Sequence, residues 1–188
     1  FENSPVVIWE QDFSEVKEYL DELKEEVDDL EEYFDENPEE IDNCMDKMKV
    51  IDVNESALEY YEAETKEDLI NNLGEIFTEK SKDPLKKQLI AIANDKTYFN
   101  SEEEIKTLKG NKKNVIFEIK IPEEYEDEYS RGYVTATDIT ERKELERKLK
   151  EREKELEEKV AESAETIKEL STPVIKVWDD IIAMPLVG

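Results

Sequence analysis

The sequence has 188 residues, enough for one domain of ordinary size with an appendage or for two small domains. Its net charge of −27 at pH 7 argues against a protein that binds a nucleic-acid backbone or an anionic membrane surface. The absence of histidine and the single cysteine exclude haem ligation through histidine, His-dependent catalytic triads and an intramolecular disulfide, and we expect no metal site.

The first quarter of the chain carries most of the net negative charge. Residues 1–46 contain 19 acidic and two basic residues. Residues 6–9, Val-Val-Ile-Trp, form a short apolar run that is typical of a strand. Two helix-start signals follow, a capping box at Asp12–Glu15 and the pair Asn37-Pro38, each with an apolar face at helical spacing behind it. The pattern predicts a strand and then helices with acidic outer faces.

The middle of the chain mixes both periodicities. A strand is predicted at residues 49–53, and Asn54, Thr65 and Asp83 can each begin a helix. From residue 114 to 121 apolar residues alternate with others at a period of two, which is typical of a strand with one buried face. Neighbouring strands are expected near 101–108 and 132–138. The order of elements favours an α+β fold with one antiparallel sheet.

Two stretches of this region resemble PAS domains. The run VIDVNESALEYYEAETKEDLI resembles the second PAS strand and the helices after it, and RGYVTATDITERKELERKL resembles the last strand and its exit into a signalling helix. The resemblance implies a sensor domain over residues 1–138, with a five-stranded antiparallel sheet, helices on one face and a pocket between them. An acidic helical insertion of about residues 13–47 after the first strand departs from the family pattern. Asp138 and Thr140 match the family's signal junction.

The pocket that the resemblance implies is expected to be apolar. Its candidate lining residues are Ile51, Leu58, Leu89, Phe117 and Val134. Such a lining favours a small apolar or neutral ligand, or no ligand. We expect either no cofactor or an unknown small molecule. Cys44 lies in the insertion and lacks the flanking residues of the flavin-adduct motif, so we do not expect a covalent flavin. We expect Cys44 to be a buried structural cysteine instead.

Residues 139–170 contain no Gly, Pro or aromatic residue and predict a long charged helix. Its apolar residues are spaced by four and seven, which gives a period of eleven and predicts a nearly straight coiled coil. They are Leu145, Leu149, Leu156, Val160 and Ile167. A stripe this narrow does not stabilise a lone helix, so we expect a parallel homodimer, with a single solvated helix as the alternative.

Residues 171–188 turn apolar again. The phrases Leu-Ser-Thr-Pro-Val-Ile at 170–175 and Met-Pro-Leu-Val-Gly at 184–188 resemble the linker and first strand of the STAS domain in stressosome proteins of the RsbR type. Strands are predicted at 174–178 and 181–187. The resemblance implies a truncated STAS domain here, and partners that include STAS-domain proteins and a regulatory kinase. Because the sequence begins at Phe1, we expect it to be part of a longer protein.

Together these features favour a cytoplasmic sensor that is not an enzyme. A change at the pocket would pass through the junction and the paired helices to a STAS-type output. The alternative is the sensor part of a histidine kinase or of another sensor enzyme. A phosphoacceptor helix of a histidine kinase would need a histidine soon after the coil, and the sequence has none.

Overall fold

The computed structural model describes residues 1–170, 175–178 and 181–183, with side chains up to residue 168. The elements before the sheet's last three strands are β1 (Val7–Asp12), α1 (Ser14–Glu26), α2 (Leu30–Glu36), α3 (Glu39–Asp46), β2 (Lys49–Val53), α4 (Glu55–Tyr61), α5 (Lys66–Asn72) and α6 (Lys82–Ala93). They are followed by β3 (Tyr98–Lys106), β4 (Lys112–Lys120), β5 (Gly132–Asp138), α7 (Thr140–Leu170), β6 (Ile175–Trp178) and β7 (Ile181–Ala183). Short 3₁₀ turns lie at Leu73–Ile76, Glu79–Ser81 and Glu123–Tyr125.

The first five strands form one antiparallel sheet in the order β2-β1-β5-β4-β3. Strand β5, the last strand of this sheet along the chain, therefore lies in its centre, between β1 and the hairpin of β3 and β4. Helices cover one face, and three helices are inserted between β1 and β2. The predicted α+β class, with an acidic helical insertion after the first strand and a long helix after the sheet, is confirmed.

The inner face of the sheet is built by strict alternation. Val115, Phe117 and Ile119 of β4 are buried, and Val134 and Ala136 of β5 lie beside them. Gly132 begins β5 where the first insertion helix approaches, and a Cβ there would lie 2.6 Å from both Phe13 and Ile121 side chains. A glycine at this position lets the insertion pack closely on the sheet.

A β-bulge in β2 changes which residues of that strand face inward. Val53 pairs with Trp9 and Val50 pairs with Gln11, and Ile51 is the extra residue between them. The bulge reverses the alternation, so that Val50 faces the interior and Ile51 is 45% exposed. Ile51, one of the predicted pocket residues, therefore lies on the outer face of the sheet, away from the cavity described below.

The insertion packs against helix α6 as part of the helical layer. Lys86 of α6 pairs with Asp35 at 2.5 Å, and Lys24 donates to the Ala93 carbonyl oxygen at 2.6 Å. The predicted capping box at Asp12–Glu15 was wrong: Asp12 accepts from the Ser14 backbone N–H at 2.8 Å, while Glu15 pairs with Lys49. These contacts tie the acidic insertion to α6 and β2 through lysine side chains.

The chain divides into two compact units, residues Phe1–Glu141 and Arg142–Gly188. The second unit contains most of α7, whose apolar residues Leu145, Leu149, Leu156 and Val160 are 50–68% exposed. It also contains the antiparallel pair of β6 and β7. The other residues of the predicted strands, and with them most of the expected start of a STAS domain, lie outside the described residues. Among the helices that are described, none combines the length and apolar character that crossing a membrane requires.

Candidate ligand cavity and signalling junction

A partly open cavity of about 310 Å³ lies between the inner face of the sheet and the helical layer. The sheet contributes its central strands, the segment after α5 contributes one side, and the insertion contributes another. The lining residues are Trp9, Gln11, Phe13, Met45, Asp46, Met48, Val50, Ile70, Asn71, Leu73, Gly74, Phe77, Leu85, Gln88, Phe117, Ile119 and Val134. Most of the lining residues are thus apolar, and Gln11, Asp46, Asn71 and Gln88 are polar, a combination that is typical of a small-molecule site.

The structure brings two of the five predicted pocket residues to this cavity. Phe117 and Val134 line it from adjacent strands. Leu89 is fully buried in the core, but α6 turns Leu85 and Gln88 toward the cavity instead. Leu58 is half-buried against the core and does not line the cavity.

The insertion supplies lining residues that sequence reasoning did not connect with a pocket. Met45 and Asp46 come from the end of α3, and Met48 follows directly. Met45 was recognisable as part of an apolar helix face, but its partner surface is far away in sequence. Methionine side chains are flexible and adapt to irregular space, so this side of the cavity can adjust to different occupants.

Two glutamines give the cavity its oriented polar groups. Gln11 accepts a hydrogen bond from Trp9 Nε1 at 3.3 Å through its carbonyl oxygen. Gln88 donates through Nε2 to Ser101 Oγ at 3.1 Å and to Glu103 Oε1 at 3.4 Å. Gln88 therefore connects the cavity lining to a buried acid on β3.

Glu103 is a buried carboxylic acid that the sequence pattern did not reveal. It is 4% exposed, and its Oε1 also accepts from Ser101 Oγ at 2.8 Å. Its Oε2 has no hydrogen-bond partner within the part of the chain that the structure describes. Burial raises the pKa of Glu103 to about 7, and the hydrogen bond from Ser101 offsets this only in part. The alternation in β3 marks position 103 as inward-facing, which is the signal that could have found it.

A chain of aromatic rings leads from the cavity to the end of the sheet. Trp9 and Phe117 both line the cavity, with ring centroids 5.4 Å apart. Trp9 also contacts Tyr61 at 5.7 Å, and Tyr61 meets Tyr60 edge to face at 5.0 Å. The Lys113 ammonium lies 3.7 Å from the Tyr60 ring centroid. The side chains along this path are packed in direct contact.

The predicted junction residues Asp138 and Thr140 lie at the end of this row of aromatic rings, beside Lys113. Asp138 Oδ1 accepts from the Thr140 backbone N–H at 2.8 Å, and Oδ2 lies 3.7 Å from Lys113 Nζ. Thr140 Oγ1 accepts from the Asn114 backbone N–H at 2.9 Å. Burial acts to raise the pKa of Asp138, but the Thr140 donors and Lys113 outweigh it and hold the pKa below its usual value. The start of α7 is thereby tied to β4.

Cys44 is a core cysteine, and the described acidic residues form no metal cluster. Cys44 is fully buried, and burial raises the pKa of its thiol to about 12. The thiol therefore stays protonated, as in an unreactive core cysteine. Among the described residues, no group of three or more potential ligands is arranged to hold a metal ion.

Comparison with known proteins gives alignments with solved structures at low sequence identity. No family model matches the sequence. No curated protein matches it either. A PAS domain of a protein from Colwellia psychrerythraea aligns with 13% identity and a TM-score of 0.47, over 75% of this chain and 92% of that one. The PAS domain of a two-component sensor histidine kinase aligns with 12% identity over 73% and 87% of the two chains, with a TM-score of 0.43. The PAS domain of an HTR-like protein from Haloarcula marismortui aligns with 16% identity over 74% and 85%, with a TM-score of 0.43.

Proposed function

We propose that this chain is a sensor module in which a small molecule in the cavity changes the junction at Asp138 and the helix that follows. The observation that carries the proposal is the continuous ring contact from Trp9, in the cavity lining, through Tyr61 and Tyr60 to the Asp138–Lys113 pair. A ligand that moves Trp9 must also move Tyr61, because Tyr61 is fully buried in a closely packed interior and contacts Trp9 directly.

The junction has the features of an element with two arrangements. The Asp138 carboxylate divides its hydrogen bonds and charge between the first turn of α7 and Lys113 of β4. A shift of Tyr60 changes the position of Lys113, which also donates to the Tyr60 carbonyl oxygen at 3.3 Å. Weakening either contact alters how firmly the helix start is held to the sheet, which is a local change that a long helix can pass on.

The cavity is tested by native mass spectrometry of gently purified protein, with a variant that fills the cavity. Met48→Trp places a large ring at the flexible wall, and we expect it to remove any co-purifying ligand mass. Tyr98→Trp is the matched control, because Tyr98 is 52% exposed and outside the cavity lining. Equal retention of the ligand by both variants would place the binding site elsewhere, and no ligand in any sample would contradict ligand sensing by this cavity.

The junction is tested by hydrogen exchange at residues 140–146 with and without the co-purified ligand. In the wild type, we expect ligand removal to change exchange in this segment. Asp138→Ala should keep the ligand and abolish that change, and the loss of one helix cap should cost only about 1 kcal/mol. If Asp138→Ala instead unfolds the domain, the residue is structural and the coupling role is wrong.

We further propose that α7 works as a parallel homodimer. Leu149, Leu156 and Val160 are exposed along the helix in this single chain. Leu156→Glu should dissociate the dimer in light scattering at tens of micromolar. Lys154→Glu is the control, because it introduces the same residue on the opposite side of the helix. A monomeric wild type, or an unchanged Leu156→Glu dimer, would contradict this interface.

For the output, we propose a STAS-type domain and a regulatory kinase as partner, on the resemblance of residues 171–188. The second candidate is the sensor part of a histidine kinase, and one of the aligned structures is a PAS domain of such an enzyme. The coding sequence beyond residue 188 separates the two. Further STAS strands support the first candidate, whereas a phosphoacceptor histidine and a kinase domain support the second.

A further inference from the structure

We propose that the ligand of this cavity is a small organic cation, an amine or quaternary ammonium compound with an apolar body. The inference rests on the proposed sensing function and names the class of molecule sensed. It differs from the neutral ligand that the apolar sequence pattern suggests, because the polar lining residues come from parts of the chain that this pattern did not join.

The charges around the cavity are of one sign. Among its described lining residues none is Lys or Arg, and Asp46 is the charged one. Asp46 is exposed while it belongs to the lining, which places this residue at the opening of the cavity. An anionic ligand would lose its hydration without a basic partner, which is costly in an apolar site. A chain with a net charge of −27 also concentrates cations around itself.

The walls suit a positive charge as well. Four aromatic rings line the cavity, from Trp9, Phe13, Phe77 and Phe117. The face of an aromatic ring attracts a cation, most strongly for Trp, and the attraction grows when water is excluded. The sulfur atoms of Met45 and Met48 add polarizable surface without any positive charge.

The Gln88 side of the cavity points in the same direction. The Gln88 amide group donates to Ser101 and Glu103, which leaves the Gln88 carbonyl oxygen as the amide atom that can accept from a ligand. Behind it, Glu103 has an oxygen without a partner among the described residues. An acceptor backed by a buried acid favours a ligand with N–H donors or a positive charge over one with acceptors.

The test uses isothermal titration calorimetry on the full chain with two pairs of matched probes. The first pair is 2-phenylethylamine, protonated at pH 7.5, and 2-phenylethanol. The second pair is choline and its neutral isostere 3,3-dimethylbutan-1-ol. Each cation should bind at least about tenfold more tightly than its neutral partner, and the difference should shrink at high salt.

Variants place the charge preference in this cavity. Asp46→Asn should weaken binding of both cations about two- to fivefold and leave the alcohols unchanged. Asp42→Asn is the matched control on the same helix, because Asp42 is exposed and outside the lining. Met48→Trp should abolish binding of all four probes.

The outcomes separate this inference from the proposed function. Alcohols that bind as tightly as their cationic partners would overturn the cation class and leave ligand sensing intact. Binding that survives Met48→Trp would overturn the assignment to this cavity. If none of the four probes binds while native mass spectrometry retains a ligand, the inference is wrong and the sensing function still stands.

Discussion

Replacement of Glu103 by glutamine should make the domain more stable at neutral pH. The carboxyl group is 4% exposed, accepts from Ser101 and Gln88 on one oxygen, and has an Oε2 without a partner in the described chain. An ionised carboxylate in this place is poorly solvated, whereas a neutral amide of the same shape can keep the acceptor bonds. Tyr61 is an ionisable neighbour of Glu103.

The magnitude follows from the displaced pKa. Burial raises the pKa of Glu103 from 4.5 to about 7, and each unit corresponds to about 1.4 kcal/mol, so ionisation costs the folded state roughly 3 kcal/mol. Below pH 4.5 both the folded and the unfolded chain hold the proton. Between pH 4.5 and about 7 only the folded chain holds it, so stability falls as pH rises, and above that range the loss is complete.

Urea unfolding followed by circular dichroism from pH 4.5 to 8 measures this effect. Glu103→Gln should match the wild type at the acidic end and exceed its free energy of unfolding by about 2–3 kcal/mol at pH 8. Glu59→Gln, an exposed position on α4, should stay within about 0.5 kcal/mol of the wild type throughout. A difference between Glu103→Gln and wild type that is constant with pH would refute the reasoning, and so would a less stable variant at pH 8.

Two further predictions concern packing and capping. Gly132→Ala should destabilise the domain by about 1–3 kcal/mol in the same unfolding assay, because its Cβ would lie 2.6 Å from the buried Phe13 ring. Gly74→Ala, which meets no described atom within 4 Å, should be neutral within about 1 kcal/mol and controls for the loss of glycine. Asn54→Ala should cost about 2–4 kcal/mol, because the buried amide caps α4 and also bonds the Ile8 N–H of β1 and the Val6 carbonyl oxygen just before β1. Thr65→Ala removes only an exposed cap of α5 and should cost about 1 kcal/mol, so equal losses at the two caps would contradict the strand-anchoring role.

The sequence pattern predicted the sheet where alternation is regular. Strand β4 alternates without interruption, and its inward residues Val115, Phe117 and Ile119 are the buried ones. The helix caps Asn54 and Thr65 were also recognisable, because a cap acts within three residues of itself. Interactions of this kind can be predicted from a few consecutive residues.

Features that depend on distant contacts could not be predicted in the same way. The bulge that turns Ile51 outward depends on pairing with β1, some 40 residues earlier in the chain. The sequence of β2 alone does not indicate it. The cavity depends on helix α3 of the insertion meeting α6 and the sheet, and periodicity within α3 does not identify the partner of its apolar face. The Glu103 site likewise joins β3 to α6 and α4.

Glu103 and the cavity lining are both neighbours of Tyr61, so the proposed sensing path can include the buried acid. Tyr61 contacts the Trp9 ring that lines the cavity, and its hydroxyl is buried without a hydrogen-bond partner among the described residues. Burial raises the pKa of Tyr61, and the nearby Tyr60 and Glu103 add to the rise. Within the proposed path, a charge gained at Glu103 and a ligand against Trp9 would both act on Tyr61. Because Tyr61 also contacts Tyr60, this buried tyrosine would connect both events to the junction at Asp138.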